Sequence, residues 1–171
     1  NYLRTLEEKE NYLAGKSIDW VDEVLQTAPM QYYNLSLQGR SDLSNYYISG
    51  SYSDVEGIQL NDRMKRLTLR SNVESRINDW LKINLNTSFS NIDNSGIPAS
   101  LATARKASPL VNNYVGQDNY DIYLGGELFQ PYPLVNLYID NSDISKEFFG
   151  LGAVRIDAPW VKGLAYDFNY S

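Results

Sequence analysis

The side chains that could carry out chemistry in this sequence are mainly carboxylates, because it contains no cysteine and no histidine. Their absence excludes thiolate nucleophiles, histidine bases and the usual zinc and copper sites. Asp54 and Glu56 flank a predicted turn and could form a hydrolytic pair, but nothing in the sequence places them in a cleft. We therefore predict that the protein is not an enzyme.

Two short acidic stretches, 118–121 and 140–143, offer oxygen ligands at a spacing that resembles calcium loops. Neither stretch has the glycine at the sixth position or the closing glutamate of an EF-hand. We interpret both as solvated loops, and we predict no metal and no cofactor.

The charge balance argues against nucleic acid as a partner. The 171 residues include 15 basic and 21 acidic side chains, for a net charge of -6, and the basic ones are dispersed. Binding to phosphate backbones needs concentrated Lys and Arg. The chain is polar overall, with a mean hydropathy of -0.42, yet it has 14 Tyr, 3 Trp and 5 Phe. That combination is typical of β-sheets with one polar and one apolar face.

From Met30 onward, apolar and polar residues alternate with the period of a β-strand, most clearly from Leu81 to Ser90. We predict six antiparallel strands, paired in sequence order, near 31–38, 45–53, 65–74, 81–90, 149–157 and 164–171. One side of this sheet should carry Leu67, Leu69, Leu81, Ile83, Leu85, Tyr166 and Phe168. The other side should carry Tyr47, Arg66, Arg70 and Lys82.

The residues before the first strand have helical periodicity instead. A short amphipathic helix is predicted within Asn1 to Leu13, ending near Gly15. A second helix should be capped by Ser17 or Asp19 and should end before Pro29. We therefore divide the chain into a helical lead-in, 1–29, and a β-rich segment with one long loop, 30–171.

The predicted connections alternate between short and long, and 91–147 is by far the longest. Outer-membrane barrels have short periplasmic turns and long extracellular loops, so this alternation predicts an all-β, up-and-down transmembrane barrel segment. Trp80 and Trp160 lie beside short turns, where an interfacial aromatic girdle would lie. A soluble carbohydrate-binding β-sandwich, and a passive porin or adhesin barrel, remain alternatives.

Several stretches resemble the SusC/RagA-type TonB-dependent transporters of Bacteroidetes. The first matches mark that family's entry into the barrel, and the later ones its next strands and its long second extracellular loop. Arg40 departs from the pattern, since the family often has a second Gly there. The matching stretches are Asp19–Glu23, Ala28–Gln31, Asn34–Gly39, Asn45–Tyr52, Glu56–Ile58, Lys65–Val73, Asn78–Lys82, Arg105, Ser108–Leu110, Pro133–Leu134 and Asn136.

The resemblance implies that the chain is a fragment covering the first strands of a large plugged barrel in the outer membrane of a Gram-negative bacterium. The lead-in would join the plug to the barrel. The implied function is import of glycan fragments or peptides. The implied partners are a SusD-like surface lipoprotein, outer-membrane lipid, and TonB acting through a plug region that these residues do not contain.

The predicted outer-membrane barrel also implies roles for individual residues. Asn119, Tyr120, Tyr123 and Tyr132 of the long loop combine stacking rings and hydrogen-bonding groups that suit sugars or peptide bonds, so we expect them to bind substrate. Loop tyrosines that only pack the loop are the simpler alternative. The apolar side of the sheet should face lipid. Its polar side should face the barrel lumen, where Arg66 and Arg70 could instead form a structural salt-bridge ladder.

Overall fold

The computed structural model describes residue 3, residues 5–112 and residues 132–171. Its contacts divide the chain into two compact units. One unit is the strand region, made of 30–54, 64–94 and 143–171. The other, which we call the loop unit, is made of 1–29, 55–63 and 95–142.

The strand region is a single six-stranded sheet in which the strands lie in sequence order. Every described pairing is antiparallel. The prediction of six strands in sequence order is therefore confirmed. The strands are β1 (Met30–Arg40), β2 (Ser44–Glu56), β3 (Arg63–Asn78), β4 (Leu81–Asp93), β5 (Ile144–Asp157) and β6 (Ala165–Tyr170).

The register determines which residues share a face, because directly paired residues of neighbouring strands point to the same side. Leu85 lies opposite Val73 of β3 and Gly152 of β5. Ile83 lies opposite Val154, which in turn lies opposite Phe168. The seven residues predicted to share the apolar side are therefore on one face of the sheet.

Strand β5 begins earlier than the sequence predicts. Residues 144–147 were expected to end the long connection, but they pair with Ser90 to Asp93 of β4. The charged side chains of Lys146 and Glu147 make this stretch look like a loop in the sequence. Backbone pairing with a long neighbouring strand extends β5 despite those charges.

The turns that join β1 to β2, β3 to β4 and β5 to β6 are short, and because the strands alternate in direction they lie at one end of the sheet. We call this end the short-turn rim. The connections from β2 to β3 and from β4 to β5 leave from the opposite end, the long-connection rim. The predicted alternation of connection lengths is found in the first four connections but not in the last, because 158–164 is one residue longer than 57–62.

The loop unit contains short helices around a small apolar core. These are α1 (Leu6–Leu13), α2 (Trp20–Glu23), α3 (Leu101–Ala104) and a 3-10 turn at Val135–Tyr138. Among the described residues, no helix combines the length and apolar character needed to cross a membrane. The core is formed by Trp20, Val24, Ala99, Ala104, Val111, Tyr132 and Leu134.

Helix α2 is shorter than the sequence predicts. Asp19, not Ser17, caps it by accepting hydrogen bonds from the amides of Val21 and Asp22. The chain then leaves the helix at Val24, and Leu25 forms a β-bridge with Gln59. Pairing with the connection between β2 and β3 thus ends the helix well before Pro29, where the sequence alone would end it.

The lead-in is not a unit of its own. The amide of Leu60 donates to the carbonyl of Val24 at 3.0 Å, and the amide of Ala99 donates to the carbonyl of Leu60 at 2.9 Å. These bonds join the lead-in to the β2–β3 connection, and that connection to the one between β4 and β5. The division of the chain at residue 29 stays a prediction, and by its contacts 1–29 groups with 55–63 and 95–142.

Candidate functional site

The apolar face of the sheet is open over its whole width. Leu67 is 36% exposed, Leu85 46% and Tyr166 64%. Ile83, Leu69 and Phe168 are similarly exposed, and Leu81 is half-buried. An exposed and largely apolar face, which also carries Ser71 and Thr87, marks a binding or membrane surface.

Polar residues bound this apolar face at the long-connection rim. Lys65 lies opposite Asp93, and Asn91 lies opposite Lys146, all on the apolar side. The next residues toward the short-turn rim, Leu67 and Phe89 among them, are apolar. The apolar surface is therefore a band with a defined edge.

At the short-turn rim the edge is marked by tryptophans. Trp80 lies in the turn from β3 to β4, and Trp160 lies in the turn from β5 to β6. The amide of Asp157, the last residue of β5, donates to the carbonyl of Trp80 at 2.8 Å, so the first turn is bonded to the strand end from which the second turn leaves. Both indoles are exposed, at 41% and 81%.

The polar face carries the residues predicted to face a lumen. Arg66, Arg70 and Lys82 lie on this face by register, opposite Ile92, Ser88 and Arg76 of the neighbouring strands. A groove of about 340 Å³ runs along β1, β2 and β3 on this side. We call it the arginine groove, and it is lined by Tyr32, Asn34, Tyr47, Ser49, Ser51, Ser53, Arg66, Thr68 and Arg70.

A second groove continues toward the short-turn rim. Its volume is about 490 Å³, and Tyr47 lines both grooves. Arg40, Asn72 and Glu74 are among its other lining residues. The polar face thus has two neighbouring grooves, one lined by β1, β2 and β3 toward the long-connection rim and one nearer the short turns, with Tyr47 between them.

Lys82 lies outside both grooves, opposite Arg155 of β5. Arg155 is held by acceptors on its own strand and the next one: its Nε lies 3.1 Å from Oδ1 of Asp157, and its Nη1 lies 3.5 Å from Oδ2 of Asp167. This part of the polar face has the salt-bridge ladder that was considered for Arg66 and Arg70.

Sequence reasoning missed two apolar residues on the polar face. Phe149 lies opposite Ser88, and Leu151 lies opposite Asn86, so both point to the same side as the arginine groove. Phe149 is 53% exposed. The signal was the run Phe148-Phe149-Gly150-Leu151, which is apolar at consecutive positions and so is apolar on both faces.

Of the four residues predicted to bind substrate, Asn119, Tyr120 and Tyr123 lie outside the described residues. Tyr132 is described and is 1% exposed, with its ring edge-on to Trp20. That burial matches the alternative in which a loop tyrosine packs its own loop. Within the described part of the chain, no three His, Cys, Asp or Glu side chains are grouped so that they could hold a metal ion.

Known proteins resemble this chain over most of its length. No family model matches it. TonB-dependent receptor P3 of Formosa agariphila is 30% identical over 144 residues, which are 77% of this chain and 14% of the relative. TonB-dependent receptor SusC of Bacteroides thetaiotaomicron is 29% identical over 117 residues, which are 67% of this chain and 12% of SusC.

The comparison of the fold with solved structures agrees with the sequence comparison. A solved structure of the RagAB peptide importer in its closed-closed state superimposes with a TM-score of 0.64 at 27% identity. The match covers 90% of this chain and 18% of the importer chain. This chain therefore spans less than a fifth of the length of the proteins it matches. Sequence and fold together show that the chain belongs to the TonB-dependent receptors of the SusC/RagA type, as a stretch of antiparallel barrel strands.

Proposed function

We propose that this chain is part of an outer-membrane transporter that imports glycan fragments or peptides by a TonB-dependent mechanism. The observation that carries the proposal is the exposed apolar band, with a polar row at one edge and tryptophan turns at the other. A water-soluble protein would cover such a face, whereas a barrel in a membrane turns it toward lipid.

The height of the band suits a bilayer. From Leu81 to Phe89, strand β4 extends about 26 Å, at roughly 3.3 Å per residue. Barrel strands tilt by about 35–45°, and the apolar band of an outer-membrane barrel is about 25 Å tall. Tilted by that angle, the apolar part of β4 rises roughly 19–21 Å along the membrane normal, which is most of the band, and the tryptophans would lie at the level of the lipid headgroups.

The opposite face then becomes the wall of the lumen. Tyr47, Arg66, Arg70 and Lys82 would meet water, substrate or a plug. The two neighbouring grooves give this wall a polar surface of the kind that a transport route for polar cargo requires. In the long connection, Asn119, Tyr120 and Tyr123 remain our candidates for contact with cargo.

The partners are proposed by similarity. The relatives are named as TonB-dependent receptors, and the matched solved structure is described as a peptide importer. By similarity we propose that a SusD-like surface lipoprotein closes over the long-connection rim, and that TonB supplies energy through a plug domain. The named relatives are receptors and an importer, in keeping with a protein that is not an enzyme.

The two alternative classes have weaker support. A β-sandwich would pack a second sheet on the apolar face, whereas here Leu85, Tyr166 and Phe168 are each about half exposed or more.

A passive porin would need no energy source. Collapsing the proton gradient with an uncoupler should therefore stop uptake by the intact receptor, whereas uptake that continued would favour the porin.

The experiment that tests the role of the long connection is a deletion of residues 115–130 in the full-length receptor. The deletion stops short of Tyr132 because that residue belongs to the core of the loop unit. We expect normal abundance in the outer membrane, with loss of uptake and of growth on the limiting nutrient. Normal abundance with unchanged uptake would contradict a role in capture.

A further inference from the structure

The arginine groove is basic, whereas the chain as a whole is acidic. The protein carries a net charge of -6, yet none of the described residues that line this groove is acidic. On the polar face of β3 and β4, both fully described, Glu74 is the only carboxylate, and it lines the other groove. The groove is thus a basic region in an acidic protein.

Its two arginines are positioned as a pair. Arg66 and Arg70 point to the same face of β3, about 13 Å apart along the strand, with Thr68 between them. Across the described residues, neither guanidinium has a hydrogen bond or an ion pair. Arg155 on the same face is held by two carboxylates, so the sheet does form such pairs elsewhere.

The remaining lining completes a site for an anion. Ser49, Ser51, Ser53 and Thr68 supply hydroxyl donors. Tyr32 and Tyr47 supply rings for stacking and phenolic hydroxyls, and both rings are exposed. Arginine matches carboxylates with two parallel hydrogen bonds, and such charge-assisted bonds are about twice as strong as neutral ones.

We propose that the arginine groove binds cargo that carries carboxylate groups, with Arg66 and Arg70 each engaging one carboxylate. Their spacing along β3 selects a chain with repeated acidic groups over a single acidic monomer. This inference rests on the proposed function, since it requires the polar face to line the route of cargo. It deepens that function by naming the charge of the substrate.

The test uses the purified full-length receptor and titration calorimetry, so it does not depend on transport. Tetragalacturonate is compared with its neutral methyl ester, and tetraglutamate peptide with tetraglutamine. We expect at least one acidic probe to bind about tenfold more tightly than its neutral partner. The pair that shows the difference identifies the cargo as glycan or peptide.

Three variants assign the effect to the groove. The double substitution R66Q/R70Q should abolish the acid preference, and R66K/R70K should retain part of it because the charge remains. Lys162→Gln removes one positive charge in an exposed turn outside the groove and should change nothing. Thermal unfolding of each variant shows whether it is folded.

Two results would overturn the proposal. The first is a wild-type receptor with no preference for either acidic probe, whether it binds both members of a pair equally or neither. The second is an acid preference that survives in R66Q/R70Q. If R66Q/R70Q kept the acid preference and was also less stable to heat, the arginines would belong to ion pairs within the whole receptor. Failure of import would be seen separately, in cellular uptake.

Discussion

The indole of Trp20 meets the ring of Tyr132 edge-on, with centroids 5.7 Å apart and ring planes at 87°. The indole nitrogen also donates to the carbonyl of Ser108 at 2.8 Å. Three distant stretches of the loop unit are thereby joined at one residue. Both rings are almost completely buried, at 2% and 1% exposure.

Trp20→Ala should therefore destabilise the loop unit by about 3–5 kcal/mol, the usual cost of truncating a buried large aromatic residue. Hydrogen exchange on the full-length receptor would show faster exchange in α2 and in residues 99–111. Tyr12→Ala is the matched control, because Tyr12 lies in the same unit but is 64% exposed. Equal protection in the two variants would contradict this account of the core.

The lipid-facing assignment predicts a dependence on depth. Arginine at the bilayer midplane of a barrel costs roughly 2–4 kcal/mol, and this falls to about 0–1 kcal/mol near the interfaces. Leu85 is nearer the middle of β4 than Ile83. Leu85→Arg should then reduce the unfolding free energy more than Ile83→Arg.

The control for both substitutions is Asn86→Arg, which places the same side chain on the polar face of the same strand. It should be nearly neutral for stability, measured by reversible unfolding in lipid. If Asn86→Arg cost as much as Leu85→Arg, the two faces would not differ in their surroundings, and the lipid assignment would fail.

The two exposed tryptophans should lie at one depth in the membrane. A spin label at position 80 or 160, in a full-length receptor without other reactive cysteines, should report the headgroup level from its accessibility to oxygen and to a polar relaxant. A label at position 85 should be deeper. A clear difference in depth between positions 80 and 160 would exclude a common girdle.

Gly96 has a backbone that a side chain would strain. Its φ is +102°, and a Cβ added there would lie 2.9 Å from Nδ2 of Asn61. That amide donates to the carbonyl of Ile97 at 3.2 Å, and moving it away would break this bond. Gly96→Ala should cost about 1–3 kcal/mol.

The effect of Gly96→Ala would be measured as local hydrogen exchange at the backbone amides of residues 59–62 and 94–97. Gly152→Ala serves as the control, because no atom lies within 4 Å of its added Cβ and its φ is not positive. Similar exchange in the two variants would mean that the turn tolerates a side chain.

The parts of the fold that the sequence predicts are those set by local patterns. Alternation in β3 and β4 identifies both strands and their faces, because the side-chain period of a strand is two. The loop unit depends instead on contacts between distant residues, such as Trp20 and Ser108, which are 88 positions apart. No local pattern records these contacts, so Tyr132 looks in the sequence like an available ring.

The same limit explains the candidate site. Arg66, Arg70 and Tyr47 are assigned to the polar face from alternation alone. That they share a groove depends on how β1, β2 and β3 align, and the lack of a paired carboxylate among the described residues depends on the register of β4. Those relationships exist only once the strands are paired.

The hydrogen bonds that join the lead-in to the connections at the long-connection rim indicate on which side of the outer membrane its residues lie. If those connections are extracellular, as we propose, residues 5–29 are at the cell surface too. Gly15 is the natural insertion point for an epitope, because it is exposed, has a φ of +66° and has no atom within 4 Å of an added Cβ. An antibody should then label intact, unpermeabilised cells, whereas a tag placed in the turn around Lys162 should be reached only after the outer membrane is opened.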